Sequence, residues 1–349
     1  MTQRLLVVSL GTVESQRFSQ TLETALRGIP FELKTALDAP LNAERILFAI
    51  ALDESGVNHG YYDLLAFLRT HADCLKNCVG GVLVDGPGDL YTKSVGRDLV
   101  LAASLAGCTF PGRPLVEATG DLKNFTVQAK NANCDLLGAY HLAAADLVNR
   151  ILTFESPRTK RPNILVLHAS SRTTSNTLAL WSRVRTELDP HCDITEVGLR
   201  NGTLEDCAGC PYTTCLHFGE QGDCFYGGVM VQEVYPALRE ADAVVLLCPN
   251  YNDALSANLT AAINRLTALY RTTPFNDKAV FAMVVSGYSG GDIVASQVVS
   301  ALNMNKGFWL PSDFCLLETA NDAGTAIRLP GIEDRLHAYA QHMLSHLLA

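Results

Sequence analysis

The stretch Ile164-Leu-Val-Leu-His168, followed by Ala169-Ser-Ser-Arg-Thr-Thr-Ser-Asn-Thr177, joins an apolar strand to a helix through a loop crowded with hydrogen-bond donors. Four apolar residues in a row fit a strand buried on both faces, as in a parallel sheet. The helical pattern that follows runs from about Leu178 to Leu188. Outward from this unit the alternation continues. Strands are expected at Asp193 to Val197, Ala243 to Leu247, Ala279 to Val285 and Phe314 to Glu318. Helices are expected at Val231 to Arg239, Leu259 to Tyr270, Ile293 to Asn303 and Gly331 to Leu348. Five strands with intervening helices predict a doubly wound α/β sheet, whose ligand lies beyond the carboxyl ends of the strands.

The first half has the same rhythm. Strands are expected at Arg4 to Ser9, Phe31 to Lys34, Arg45 to Leu52, Gly81 to Val84 and Pro114 to Glu117. Helices are expected at Ser15 to Arg27, Tyr61 to Arg69, Ser94 to Ala106 and Leu136 to Ile151. The pattern breaks once, at Glu155-Ser-Pro-Arg-Thr-Lys-Arg-Pro-Asn163, where two prolines and three basic residues make a poor strand or helix. The expected organisation is therefore a domain over 1–154, a linker over 155–163 and a second domain over 164–349. Gly81 to Tyr91 also aligns with Ala243 to Tyr251, which suggests a degenerate internal repeat. Two unrelated βα units sharing a rhythm are the alternative.

The chain has 349 residues, 27 basic and 36 acidic, for a net charge of −9. That balance supplies no electrostatic reason to bind nucleic acid or an anionic membrane. No apolar run approaches the roughly 20 residues a membrane helix needs. The apolar stretch Leu5 to Leu10 stops at Gly11, too short for a signal peptide, so a cytoplasmic protein is expected.

Three loops of the second half carry the candidate chemistry. In the first, Ser170, Arg172, Ser175, Asn176 and Thr177 offer hydroxyl, guanidinium and amide donors at a helix start, where backbone N–H groups and the helix dipole favour a phosphate. A plain helix cap needs only one of them. The second, Pro249-Asn-Tyr-Asn-Asp-Ala-Leu-Ser-Ala257, puts a proline and an aromatic at a strand end, as one wall of a flat ring site. The third, Ser286-Gly-Tyr-Ser-Gly-Gly-Asp292, has three glycines that let backbone approach a ligand. All three are expected on one sheet edge.

Eleven cysteines occur. Seven are scattered and read as small buried hydrophobes. Cys207, Cys210, Cys215 and Cys224 fall within eighteen residues and suggest metal or redox chemistry before disulfides in a reducing compartment. Their Cys-x2-Cys-x4-Cys-x8-Cys spacing leaves three readings open: a [4Fe–4S] cluster, a cluster-free redox or structural loop, and zinc. His337, His342 and His346 are four or five residues apart on the last helix and read as a solvent-facing stripe.

From Ile164 to about Gly291 the chain resembles the NADPH-dependent FMN reductase family, and especially its iron–sulfur flavoprotein branch. The matching features are the S-x-R-x-x-S-N-T loop after a strand, Cys-Ala-Gly-Cys at 207 to 210 and Gly-Asp-Cys at 222 to 224. Tyr-Pro-Ala-Leu-Arg-Glu-Ala-Asp at 235 to 242 and the Pro-x-Tyr loop match as well. The cysteine run is looser than that branch's. The resemblance implies a flavodoxin-like domain holding the FMN phosphate through Ser170, Arg172, Ser175, Asn176 and Thr177. Pro249, Asn250, Tyr251 and Asn252 would border the isoalloxazine, as would Ser286, Gly287 and Gly290.

The implied activity is transfer of electrons from NAD(P)H through FMN to a quinone, azo or nitro compound, with any cluster passing single electrons. No triad or paired carboxylates stand out, so catalytic residues stay unassigned. A flavoprotein carrier serving redox proteins is the second reading, and a flavin-free binding protein the third. The first half, with Glu14 in its first loop and Asp85 and Asp89 in the loop taken as its Pro-x-Tyr equivalent, reads as a flavodoxin-like domain that has lost its flavin. Flavin reductases of this type usually dimerise, so a homodimer is expected, or a degenerate half covering one side of the FMN.

Overall fold

Parallel strands covered on both faces must be apolar throughout, and the chain meets that demand twice. In the computed structural model, which describes residues 4–10, 15–170 and 174–349, the chain divides into two units, Met1–Glu155 and Ser156–Ala349. The first contains strands β1 (Leu5–Leu10), β2 (Phe31–Lys34), β3 (Arg45–Ala51), β4 (Cys78–Asp85) and β5 (Leu115–Ala118). The second contains β6 (Asn163–His168), β7 (Asp193–Gly198), β8 (Ala243–Pro249), β9 (Ala279–Ser286) and β10 (Cys315–Thr319). Every pairing among them is parallel. The sheet order is β2-β1-β3-β4-β5 in the first unit and β7-β6-β8-β9-β10 in the second. Each is the flavodoxin-like order, with its crevice where the chain switches direction across the sheet. The short strand Cys108–Thr109 also pairs with β4, and Leu41–Asn42 with Leu75–Lys76.

The helices of the first unit are α1 (Gln16–Ala25), α2 (His59–Thr70), α3 (Thr92–Ser104), α4 (Thr126–Ala132) and α5 (Leu136–Thr153). Leu147, Val148 and Ile151 of α5 are fully buried with Leu5, Val7 and Leu47 of the sheet. The fit is close because Gly81 lacks a side chain: a Cβ there would lie 2.6 Å from Ile151 Cδ1. The second unit adds α6 (Asn176–Leu188), α7 (Tyr212–Glu220), α8 (Tyr235–Glu240), α9 (Ala257–Tyr270), α10 (Gly291–Val298) and α11 (Ile332–Leu347). Trp181, Trp309, Phe281, Phe308 and Phe314 are all fully buried in it. No helix among the described residues is long and apolar enough to cross a membrane.

The segment read as a linker packs with the second unit. Thr159 forms a parallel bridge with Leu348, and Arg161 Nε donates to Asp193 Oδ1 at 2.8 Å.

Two expectations are corrected. The alignment of residues 81–91 with 243–251 is one strand out of step. By sheet position β4 corresponds to β9, and β8 corresponds to β3. Buried parallel strands are all short apolar runs, so any two align by composition. The loop after Asp85 is thus the counterpart of the Ser286–Asp292 loop, and Leu52 to Val57 is the counterpart of the Pro-x-Tyr loop. The histidines of α11 are not a solvent-facing stripe either. His337 is exposed and bonds Glu187, but His342 Nε2 meets Ser312 O at 2.6 Å and the His346 ring lies 6.0 Å from Trp309.

The carboxyl edge of the first sheet is filled by its own side chains. Arg17, in the first turn of α1, grips Asp85 through two bonds of 2.6 and 3.0 Å. It also donates to the carbonyls of Gly86, Thr119 and Gly120. Asp85 is therefore a paired, buried carboxylate rather than an open loop charge. Glu14, the acidic residue of the first loop, lies outside the described residues.

Two stability outcomes follow from these contacts. Arg17→Met leaves a buried carboxylate unpaired and should cost the first unit about 3 kcal/mol. Both tryptophans lie in the second unit, so in urea the loss should appear in circular dichroism and not in tryptophan fluorescence. Burial, then the neighbouring His342 and Arg158, pushes His346 from 6.5 down to about 3. The unfolded chain takes up a proton near pH 6.5 that the folded one refuses until about 3. Tryptophan-monitored stability should fall over that window, by at most about 1.4 kcal/mol per pH unit, and His346→Gln should flatten the slope.

Candidate active site

Four loops leave the carboxyl ends of β6, β8, β9 and β10, and two asparagine amides knit them together. Asn176, at the start of α6, donates to Ala320 O and Asp322 O at 3.2 and 2.9 Å. Its Oδ1 accepts from the N–H groups of Gly324 and Ala326 at 2.8 and 3.4 Å. The side chain read as a phosphate donor thus has its amide engaged in the loop after β10. Asn250 plays the same part between β8 and β9. Its Nδ2 donates to Ser286 Oγ, Ser289 O and Asp253 Oδ1 at 3.1, 2.9 and 3.2 Å. Ala320 N–H donates to Ser286 O at 2.8 Å and links the last pair of loops.

Within this frame the remaining predicted residues have distinct roles. Ser175 caps α6, its Oγ accepting from Leu178 N–H at 3.2 Å and lying 2.7 Å from Thr177 Oγ1. Thr177 is buried, and Ser170 Oγ is buried with no hydrogen-bond partner among the described residues. Arg172 lies outside the described residues. Helix α6 is thirteen residues long and starts at Asn176, and the first N–H groups of such a helix, with its dipole, favour an anion. Pro249 ends β8, and Tyr251 is 61% exposed beside it. Asn252 and Asp253 adopt φ of 56° and 55°, a left-handed turn that short polar side chains tolerate. Asn250 Oδ1 is a second buried acceptor without a partner. Gly290 has φ of 80° and caps α10; a Cβ there would stand 2.0 Å from Asp253 Oδ1. A Cβ at Gly287 would also crowd the next loop, 3.0 Å from Asn321 Oδ1.

Sequence reasoning missed the loop from Ala320 to Ala326. Its only signal is a run of Asn, Asp and Gly directly after the last strand. It also missed a polar cleft of about 1020 Å³ on the β7 side, lined by His168, Ser170, Glu196, Gly198, Arg200 and Gln232 among others. There the buried His168 Nε2 lies 3.6 Å from Glu196 Oε1. The other oxygen of Glu196 accepts from Trp181 Nε1 and Arg185 Nη1 at 3.3 and 3.2 Å.

The four clustered cysteines line one cavity of about 140 Å³, together with Phe218, Phe225, Tyr226, Arg265 and Arg271. Cys207 is exposed and the other three are half-buried. Cys215 stands on α7, a helix that the reading of this segment as a loop did not anticipate. Desolvation, followed by Cys210, pushes the Tyr226 phenol above its usual range. His217, on the same helix as Cys215, lies with its Nε2 3.3 Å from Gln221 Nε2. Among the described residues no three His, Cys, Asp or Glu side chains converge as a single metal ion requires. Of the seven scattered cysteines, six are buried and Cys134 is half-buried. Burial raises the Cys78 and Cys192 thiols to about 11.

No curated protein matches the chain in sequence. Solved structures similar to it include an azoreductase from Bacillus anthracis str. Sterne, 17% identical over 51% of this chain and 96% of that one, with a TM-score of 0.37. An NAD(P)H:quinone oxidoreductase from Methanothermobacter marburgensis is 13% identical over 52% of this chain and 94% of its own, with a TM-score of 0.39. A flavodoxin, WrbA-like protein from Agrobacterium tumefaciens is 12% identical over 53% and 99%, with a TM-score of 0.34. Within the second unit, residues 162–322 match the model of the NADPH-dependent FMN reductase family, so this part of the chain is similar to that family.

Proposed function

We propose that the second unit binds FMN along its knitted edge and carries electrons from a reduced nicotinamide to a small quinone, azo or nitro acceptor. The observation that carries this reading is that two buried oxygens on neighbouring loops of this edge, Ser170 Oγ and Asn250 Oδ1, have no hydrogen-bond partner among the described residues. A buried polar atom without a partner costs about 1–3 kcal/mol, and a ligand that offers an acceptor to the Ser170 hydroxyl and a donor to Asn250 Oδ1 removes the cost. When bound, FMN supplies the hydride and electron chemistry that no side chain provides. Ser170, the α6 N-terminus and Arg172 hold the phosphate. Ser175, Asn176 and Thr177 keep that helix start in shape. Asn250 Oδ1 accepts from the ring, Tyr251 and Pro249 form its wall, and the Ser286–Gly290 backbone closes the other side. The exposure of Tyr251, and of Tyr288 at 81%, leaves a face for the nicotinamide and the acceptor to use in turn.

The thiol cavity supports a finer reading, in which Cys207, Cys210, Cys215 and Cys224 ligate a [4Fe–4S] cluster. All four cysteines line one cavity, which is the observation that supports this reading. The same cavity favours a second functional reading, an electron carrier serving a redox protein.

An anaerobic visible spectrum with iron and sulfide analysis tests both levels. Flavin bands with about four irons per chain are expected. Bands without iron would leave a two-electron reductase, and a colourless protein that takes up no FMN would end the proposal. NADH or NADPH should bleach the flavin; if neither does, the carrier reading replaces the reductase. Ser170→Ala should weaken FMN binding about 5- to 10-fold, as the loss of one hydrogen bond. Gly290→Ala should lower it further through loop strain, with flavin fluorescence as the readout.

A further inference from the structure

The thiol cavity contains a cation that packing alone does not account for. Arg265, in the middle of α9, is 2% exposed. Arginine is almost never buried to that degree without a paired charge. Among the described residues, no carboxylate lies within 4.0 Å of its guanidinium. Its acceptors are two backbone carbonyls, Glu205 O at 3.4 Å from Nη1 and Gly227 O at 2.7 Å from Nη2. Nε is buried with no acceptor. These carbonyls lie two residues before Cys207 and three after Cys224, so the guanidinium bridges both ends of the thiol segment. It stands 6.0 Å from the Tyr226 ring and lines the same cavity as all four sulfurs. Arg271 lines that cavity too, half-buried and 4.4 Å over the Tyr212 ring.

We propose that Arg265 is the built-in counter-charge of an anionic four-thiolate centre in this cavity, with Arg271 as its weaker, more solvated second. The inference rests on the reading that the four cysteines hold an iron–sulfur cluster. An unpaired buried cation costs several kcal/mol, which nearby thiolates recover. A cluster with four thiolates is anionic and gains a further negative charge when one electron reduces it. A fixed cation beside it favours the reduced form and raises the reduction potential, since net charge and local electrostatics set that potential. Neutralising the cation therefore lowers the potential. The competing role for Arg265 is a strut between the Glu205 and Gly227 carbonyls, which needs the planar fork and not the charge.

The experiment uses the full chain purified anaerobically, as wild type and as Arg265→Gln, Arg265→Lys and Arg271→Gln. Iron and sulfide are measured first, then the midpoint potential by dithionite titration followed in visible absorbance and by electron paramagnetic resonance. A wild type without iron sinks the cluster reading itself, whatever Arg265 does. With iron present, Arg265→Gln should titrate at a more negative potential, Arg271→Gln should shift the same way by less, and Arg265→Lys should stay near wild type. An iron-loaded Arg265→Gln that titrates like wild type overturns the proposal. So does an Arg265→Lys that shifts as far as the glutamine variant. If Arg265→Gln fails to load iron, the lysine variant decides. Loading at the wild-type potential supports the counter-charge, and failure to load establishes the strut.

Discussion

Two side-chain amides hold the working edge of the second unit. A parallel sheet ends in loops that share no backbone ladder, and each left to itself would wander. Asn176 ties the first loop to the last, Asn250 ties the two in the middle, and Ala320 N–H closes the remaining gap to Ser286. Each bond contributes only about 1 kcal/mol net. Together they fix four loops relative to one another before any ligand arrives. The buried oxygens of Ser170 and Asn250 depend on that frame, because an unsatisfied acceptor persists only where the backbone around it cannot relax.

The first unit shows the same sheet order with the opposite outcome. Its crevice is occupied by Arg17, whose guanidinium is satisfied by Asp85 and three carbonyls. The difference lies in loops, not in architecture, which is why a fold by itself carries little functional information. One long side chain at the start of α1 ties the loops after β4 and β5 together there.

The strands and most helices were legible because burial on both sides leaves little choice of residue: β9 is apolar from Ala279 to Val285. The three loops were legible for a related reason, since donors and glycines have no use in a buried strand. What composition hides is pairing. The repeat was read one strand out of step because β3, β4, β8 and β9 are all short apolar runs. Asn176 looked like a ligand donor because nothing local says that its partners lie about 150 residues away. The helix Tyr212–Glu220 was masked by the cysteines, and its mean hydropathy is no guide when one face lines a cavity. Arg265 sat unnoticed within an apolar helix pattern, since a buried charge is recognised only by its surroundings.

The bridge between Thr159 and Leu348 has a separate consequence. Ala349 N–H donates to Thr159 O, and Thr159 N–H to Leu347 O, so the second unit ends beside the place where it begins. Its chain is close to a closed ring. Such a ring can be spliced into another polypeptide through one narrow neck, and it can be reopened at a different surface turn with its old ends joined. In that sense the second unit is portable, and its order along the polypeptide matters little to its mechanics.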